Sequence, residues 1–364
     1  MRIETTKIED IKSGNLTNIN DIEKIISLFP NGIAHAIGYG SGVFAQITPS
    51  QVNNNNNNQN EKEELPMLDL ILAVDDPLTF HSENLHLHPH HYSSLASWLG
   101  PNFVSWLQST NYGAKIYFNP LISVDLPYTN KARSRLIKYG IVNTNDLLQD
   151  LKEWQFLYLA GRMQKPTMFI ESDDRILEAQ YKYNLKYAFA ASLLLLGENR
   201  NVHNAKAEHY CISTQQLYEQ IATLSYSGDP RMSMRGEDPN KIKKLVQSPG
   251  QEQRFYELYK DQFNELEQMG ILSFSSTKQN IGNSGTTTSS VSWDHNNVKM
   301  KEILLSRLPP RLKGIQNLAK LGGAIANIVS PAARGQSLKG ILTAGVGRSI
   351  KYAGAKFAKG WGLN

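Results

Sequence analysis

Ile37-Gly38-Tyr39-Gly40-Ser41-Gly42-Val43-Phe44 constrains this chain more than any other stretch, and Met67-Leu68-Asp69-Leu70-Ile71-Leu72-Ala73-Val74 answers it downstream. The first is an apolar approach to a glycine-serine turn. The second is a strand-like apolar run holding one carboxylate. Glycines let a backbone close on a polyphosphate with no Cβ in the way, and a serine hydroxyl bonds its oxygens. A carboxylate on the adjacent strand can hold the divalent metal that neutralises those phosphates. Three other readings compete. The glycines can mark only a turn, or a degenerate dinucleotide loop, or Ser41 can be a hydrolase nucleophile. The G-x-G-x-x-G spacing and a directly following helix are absent, as is G-x-S-x-G.

Further blocks follow in order: FHSENL, HYSSL, YGAKIYFNPLI, IKYGIV, DLLQDLKEWQFLYLAGRMQKP and LSYSGDPRMSMRGEDPNKIKKLV. With GYGSGVF and MLDLILAVDDP they resemble the mitochondrial phosphatidate cytidylyltransferases, the peripheral CDP-diacylglycerol synthases of the translocator-assembly-and-maintenance type. The Gly-Ser turn followed by a strand Asp resembles the wider polymerase-β-like nucleotidyltransferase superfamily. The resemblance runs from about Ile33 to the C-terminus. It implies a mixed α+β fold, with a nucleotidyltransferase domain over 1–165 and a mostly helical winged-helix-like domain over 166–310. It also implies CTP and phosphatidic acid as substrates, Mg²⁺ as cofactor, and a peripheral place on the matrix side of the mitochondrial inner membrane. No nucleic-acid partner is expected. One departure concerns the metal. The superfamily carries D-x-[DE] on this strand, whereas Ile71 stands where the second acid belongs.

The candidate site follows from both lines. Asp69 is the catalytic metal ligand, and Gly40, Ser41 and Gly42 cradle the triphosphate. Asp75 is either the missing second ligand or, with Asp76 and Pro77, a turn that caps a helix. His81 matches the family blocks and is favoured among the clustered histidines as a nucleotide contact; zinc lacks ligand partners there. Lys138 is a strand-edge lysine or a phosphate contact. Arg231, Lys241 and Lys244 surround a helix start, where cations and a positive dipole favour an anion. Arg162 and Lys165 can reach a polyanion across the domain boundary, although an exposed basic helix end is the commoner role of such residues.

Composition places the remainder. Of the overall charge of +5, the segment 311–364 supplies nine basic residues and no acid, so subtracting nine leaves −4 elsewhere. That tail, with an imperfect amphipathic arc from Leu338 to Phe357, is expected to meet an anionic membrane surface. The single Cys211 excludes an internal disulfide. Met1 to Asp21 mixes acids with bases, unlike a matrix-targeting peptide, so the mitochondrial address is implied by the resemblance alone. Residues 51–64, with Asn53 to Asn58, read as a solvated loop insertion.

Periodicity predicts strands over Tyr112–Pro120 and Arg135–Val142, then one helix from Thr144 or Asn145 to Gly161. A long helix is expected from Ser172–Asp174 to Leu196, and a capping box at Ser213–Gln216. A strand through Met234, a helix capped by Asp238 with Pro239 leading, and a helix over Gln251–Met269 come next. Ser273–Ser290 reads as a mobile loop. Two other functions stay open: nucleotidyl transfer to RNA or a small molecule, and a non-enzymatic assembly factor, which the missing acid at Ile71 would suit.

Overall fold

The computed structural model describes residues 16–44, 66–126, 133–201, 209–233, 238, 240–281, 284–294, 297–315 and 317–344. The Asn-rich insertion, Met234, Pro239 and the tail past Ala344 lie outside the described residues. The two apolar runs become β1 (Ile33–Tyr39) and β2 (Leu68–Val74), paired antiparallel. On the far side of β2 lies β4 (Arg133–Asn143), parallel to it, and β3 (Ile116–Leu126) is antiparallel to β4. With β5 (Met168–Glu171) beside β1, the sheet order is β3-β4-β2-β1-β5. A parallel pair needs a long crossover. Here it is made by α2 (Pro77–Leu87), α3 (Ser94–Ser109) and β3. Asp76 caps α2, its Oδ1 accepting the N–H groups of Leu78 and Thr79, and Pro77 takes the first helical position.

Side chains alternate across a strand, so Asp69, Ile71 and Ala73 share one face of β2, and Leu68, Leu70 and Leu72 the other. Ile71 and Ala73 pack in a core shared with the helices that follow. The opposite face packs on Ile22, Ile25 and Phe29, of which the first two belong to α1 (Leu16–Ile26).

The single helix expected over 144–161 is broken. Asn143 caps α4 (Thr144–Glu153), and Trp154 ends it in the left-handed region at φ 54°. The buried carboxylate of Asp150 then accepts the N–H groups of Phe156, Leu157, Leu159 and Ala160 at 2.7–2.9 Å. This ties down a loop that enters α5 (Ala160–Met163). The long helix is likewise divided into α6 (Asp174–Ala179), a π turn (Gln180–Asn184) and α7 (Leu185–Asn201). Inside the π turn, Asn184 Oδ1 accepts from Trp154 Nε1 and Gln164 Nε2, both at 3.0 Å.

The capping box at Ser213 is formed and starts α8 (Thr214–Leu224). The strand expected through Met234 is instead a short helix, α9 (Pro230–Ser233). Asn240, two residues later than expected, takes the N-cap position of α10 (Lys241–Gln247) with no side-chain cap bond, while Asp238 Oδ1 accepts the N–H of Asn240. The helix over Gln251–Gln268, α11, stands as read. Ser273–Ser290 is not a loop: β7 (Leu272–Ile281) and β8 (Ser284–Asp294) form a hairpin, with β6 (His209–Ser213) on the other side of β8. Leu272, Val291 and Trp293 bury the base of this hairpin, which fixes a register that its polar outer half does not signal.

After α12 (Val298–Ser306), α13 (Leu321–Ala344) runs back over the first sheet. Gln336 accepts from the N–H of Ala114 and donates to the carbonyl of Ile116, at the start of β3. Lys339, expected in an apolar arc facing lipid, is buried and donates to the carbonyls of Gln108 and Thr110. The tail therefore begins as a strap on the protein. Among the described residues, no helix is long and apolar enough to cross a membrane.

Candidate active site

The register of three strands builds the centre. Tyr39 pairs with Asp69 and Asp69 with Lys138, so the end of β1, the carboxylate and the lysine stand side by side. Lys138 Nζ lies 3.5 Å from Asp69 Oδ1 and 4.6 Å over the Phe118 ring. The turn after β1 opens with Gly40 at φ 78°, whose carbonyl accepts from the N–H groups of Val43 and Phe44. A Cβ at Gly40 would lie 3.7 Å from Asp69 Oδ2. Any larger side chain there would project over the carboxylate. At Gly42 a Cβ would fall 2.3 Å from the Met67 carbonyl, so only glycine lets the turn lie on β2. Ser41 is exposed at its crest. From the other face of the sheet, the buried Arg135 donates to the Gly42 carbonyl at 2.9 Å.

Cations and tyrosines surround this centre. The Arg162 guanidinium lies 3.9 Å from the centroid of the Tyr158 ring and 5.6 Å from that of Tyr39. Burial pushes the Tyr158 phenol up, but Arg162, Arg231 and Lys138 together outweigh it and hold the group below its ordinary value. Burial pushes Tyr39 up; Lys138 opposes this and Asp69 adds to it. Further along, Lys165 and Lys241 place their ammonium groups 5.0 and 5.2 Å from the Tyr226 ring. Burial, and then the charges of Arg162 and Lys241, push Lys165 well below an ordinary lysine, while its Nζ donates to Ser225 Oγ at 2.7 Å. Such a gathering of positive charge favours a polyanion.

The candidates of the sequence thus divide. Gly40, Ser41, Gly42, Asp69 and Lys138 are brought together; Lys241 stands with Lys165 at the Tyr226 ring, and Arg231, near enough to lower the Tyr158 phenol, is itself paired with Asp229 at 2.6 Å. Lys244 is paired with Asp238 at 2.6 Å, on the exposed side of α10.

Two candidates are corrected. Asp75 lies six residues past Asp69 on an extended path, roughly 20 Å at the rise of a strand, so the two cannot hold one ion. It faces Arg175 at 3.4 Å instead. His81 is enclosed on the opposite face of the sheet, in the group that joins α2 to Tyr139 through Asn84. Its Nε2 donates to Gln108 Oε1 at 2.8 Å and its Nδ1 accepts from the Tyr92 hydroxyl at 2.9 Å. Both ring nitrogens serve packing. No group of three histidine, cysteine or acidic side chains gathers to hold a metal among the described residues. Tyr39, Tyr158 and Tyr226 stand inside the quoted blocks but are not among the candidates the sequence offered. The spacing of Tyr158 and Arg162, four apart, is the one local signal for their contact.

A family profile described as phosphatidate cytidylyltransferase, mitochondrial, matches residues 22–320. The rat protein of that name is 34% identical over 357 residues, covering 93% of this chain and 94% of its own. The Xenopus laevis protein is 36% identical over 360 residues, covering 92% and 93%. That of Schizosaccharomyces pombe is 32% identical over 374 residues, covering 94% and 85%. The chain belongs to the mitochondrial phosphatidate cytidylyltransferase family.

Proposed function

We propose that this chain joins CTP to phosphatidate, giving CDP-diacylglycerol and pyrophosphate, at the site between β1, β2 and β4. Family membership makes it a nucleotidyltransferase. The observation that carries the site is the carboxylate of Asp69 beside the cleared turn at Gly40, with Lys138 at 3.5 Å. A phosphate oxygen of phosphatidate attacks the α-phosphorus of CTP, the bond to the β-phosphate breaks, and pyrophosphate departs. The nucleophile arrives ionised, so the protein supplies alignment and charge rather than a strong base. Gly40, Ser41 and Gly42 cradle the triphosphate. Lys138, Arg162, Arg231 and Lys241 offset the charge that passes to the leaving group.

Magnesium fits this donor set. Mg²⁺ is held by one or two carboxylates and completes its shell with water and substrate phosphates. Asp69 provides the one carboxylate, and Ile71, on the same face, is enclosed in the core. When bound, the ion would neutralise triphosphate charge.

The first sheet with its Gly-Ser turn suits a polymerase-β-like nucleotidyltransferase domain. The helices α8, α10 and α11 with the β6-β8-β7 sheet suit a winged-helix-like domain. We place the enzyme peripherally on the matrix side of the mitochondrial inner membrane, in line with its relatives' mitochondrial names. The test is purified protein with Mg²⁺, labelled CTP and either phosphatidate vesicles or RNA. Label in CDP-diacylglycerol is the expected result. Label in RNA would move the chain to another acceptor class, and no transfer at all would support the assembly-factor alternative.

A further inference from the structure

α3 has an outer face that does not look built for water. Gly100, at φ 79°, bends α3 into two short helices. Leu95, Trp98 and Leu99 project from the first and Trp106 from the second, with Trp98 81% and Trp106 59% exposed, while Ala96, Val104 and Leu107 are buried. Tryptophan is seldom left so open. Lys339 fastens α13 to the last carbonyls around α3, and on either side of it in sequence Leu338 and Ile341 are about half exposed, at 51% and 52%. With Tyr112, α3 and this part of α13 supply seven of the thirteen large exposed hydrophobic residues found among the described residues. An apolar surface so concentrated marks a contact site.

The charges say which kind. A helix that faces water normally carries charge on its outer side. Residues 92–114 contain no lysine, arginine, aspartate or glutamate, and between Glu83 and Asp125 the chain has no acid and a single lysine, Lys115. α13 holds Arg334 and Lys339 and no acid, and the twenty residues after Ala344 add Arg348, Lys351, Lys356 and Lys359, again with no acid. Along these segments no acid stands against a negative surface, and further basic residues follow in the sequence.

We infer that the outer face of α3, with Leu338 and Ile341 of α13, embeds in the interfacial layer of an anionic phospholipid bilayer. Tryptophan suits that layer, with its ring among the acyl boundary and its N–H among the headgroups. Arg334, exposed one turn before Leu338 on α13, adds the positive charge that an anionic surface attracts. The inference deepens the proposed function, since a lipid-borne phosphatidate must be met at a membrane, but its test does not depend on catalysis.

The full chain carrying Trp361→Phe is mixed, without CTP, with vesicles of phosphatidylcholine and phosphatidylglycerol, an anionic lipid that is not the substrate. Trp154 and Trp293 are buried, so the change in emission reports Trp98 and Trp106. A blue shift and quenching by brominated phosphatidylcholine are expected. Trp98→Ser with Trp106→Ser should cut vesicle partitioning at least about tenfold. Its melting temperature should hold, as should its activity on a short-chain, water-soluble phosphatidate. Emission that does not move, or undiminished flotation of the double variant, overturns the inference. So does a double variant that floats normally but changes molecular mass in light scattering, because the face would then join two copies. If the parent chain binds vesicles yet transfers no cytidylyl group, the proposed reaction fails and the membrane face stands.

Discussion

Lys138 Nζ stands 3.5 Å from Asp69 Oδ1, on parallel neighbouring strands and at the same register position. Both side chains are largely enclosed, at 14% and 23% exposure, so solvent screens the pair less than it would at the surface. The lysine thus holds the carboxylate in place at the glycine turn.

Asp69→Asn should lower turnover at least ~10²-fold, the scale of losing one strong electrostatic contact. Its melting temperature should stay near that of the parent. Lys138→Gln should lower kcat/KM for CTP and leave the acceptor dependence less affected. A purified Asp69→Asn protein that keeps a tenth or more of the parent activity would sink the assignment, on the scale of that same contact.

Asp150 predicts a stability effect with no motif behind it. Its buried carboxylate is the acceptor for four backbone N–H groups. Asp150→Ala leaves all four without it, and should cost about 3 kcal/mol or more in urea denaturation. Asp150→Asn keeps one amide oxygen and should cost less. Equal and small losses for the two variants would show that the loop stands without this side chain.

Much of the centre was legible because it is local. An apolar run into Gly-Ser-Gly and a second run with one carboxylate can form few things besides paired strands, and Asp76 and Ser213 cap helices through contacts three residues long or less. What escaped depends on distant contacts. The apolar stripe Leu147, Leu151, Trp154 and Leu157 is buried, yet Asp150 and the πturn partner Asn184 decide that it bends into a loop. Ser273–Ser290 has a loop's composition, but strand pairing to β6 and the anchors Val291 and Trp293 make it a sheet. Lys165, Tyr226 and Lys241 meet only after three segments have packed.

Acid should weaken the fold through His35 and His81. Burial holds both at about 4, against the opposing influence of Asp173 on the first and Gln108 on the second. His35 Nδ1 accepts the N–H of Asp173, which also requires that nitrogen to be unprotonated. The unfolded chain, with histidines near 6.5, binds more protons than the folded one between these limits. Their stabilising share is therefore complete above about 6.5 and is lost as pH falls toward about 4. The total for each is on the order of 3 kcal/mol. Urea midpoints measured from neutral to mildly acidic pH should fall along this course, and His81→Gln should flatten the slope. A midpoint that is constant across the window would contradict the buried, neutral state of both rings.

The contact between Gly113 and Gly335 predicts how firmly the C-terminal strap is seated. A Cβ at Gly335 would lie 2.5 Å from the backbone nitrogen of Gly113 and 2.9 Å from its Cα. Gly113 itself sits at φ 104°, where other residues are strained, and Gln336 packs against it. Two glycines thus let α13 touch the chain entering β3, and this closeness brings Gln336 to Ala114 and Ile116 and Lys339 to Gln108 and Thr110. Gly335→Val cannot be absorbed by moving a flexible side chain, because backbone is in the way. It should cost about 1–3 kcal/mol, typical of overpacking, and speed hydrogen exchange at Ala114. Gln336→Ala should act on the same amide without moving the helix. If Gly335→Val leaves both stability and exchange at Ala114 unchanged, α13 is not held on β3 by this contact.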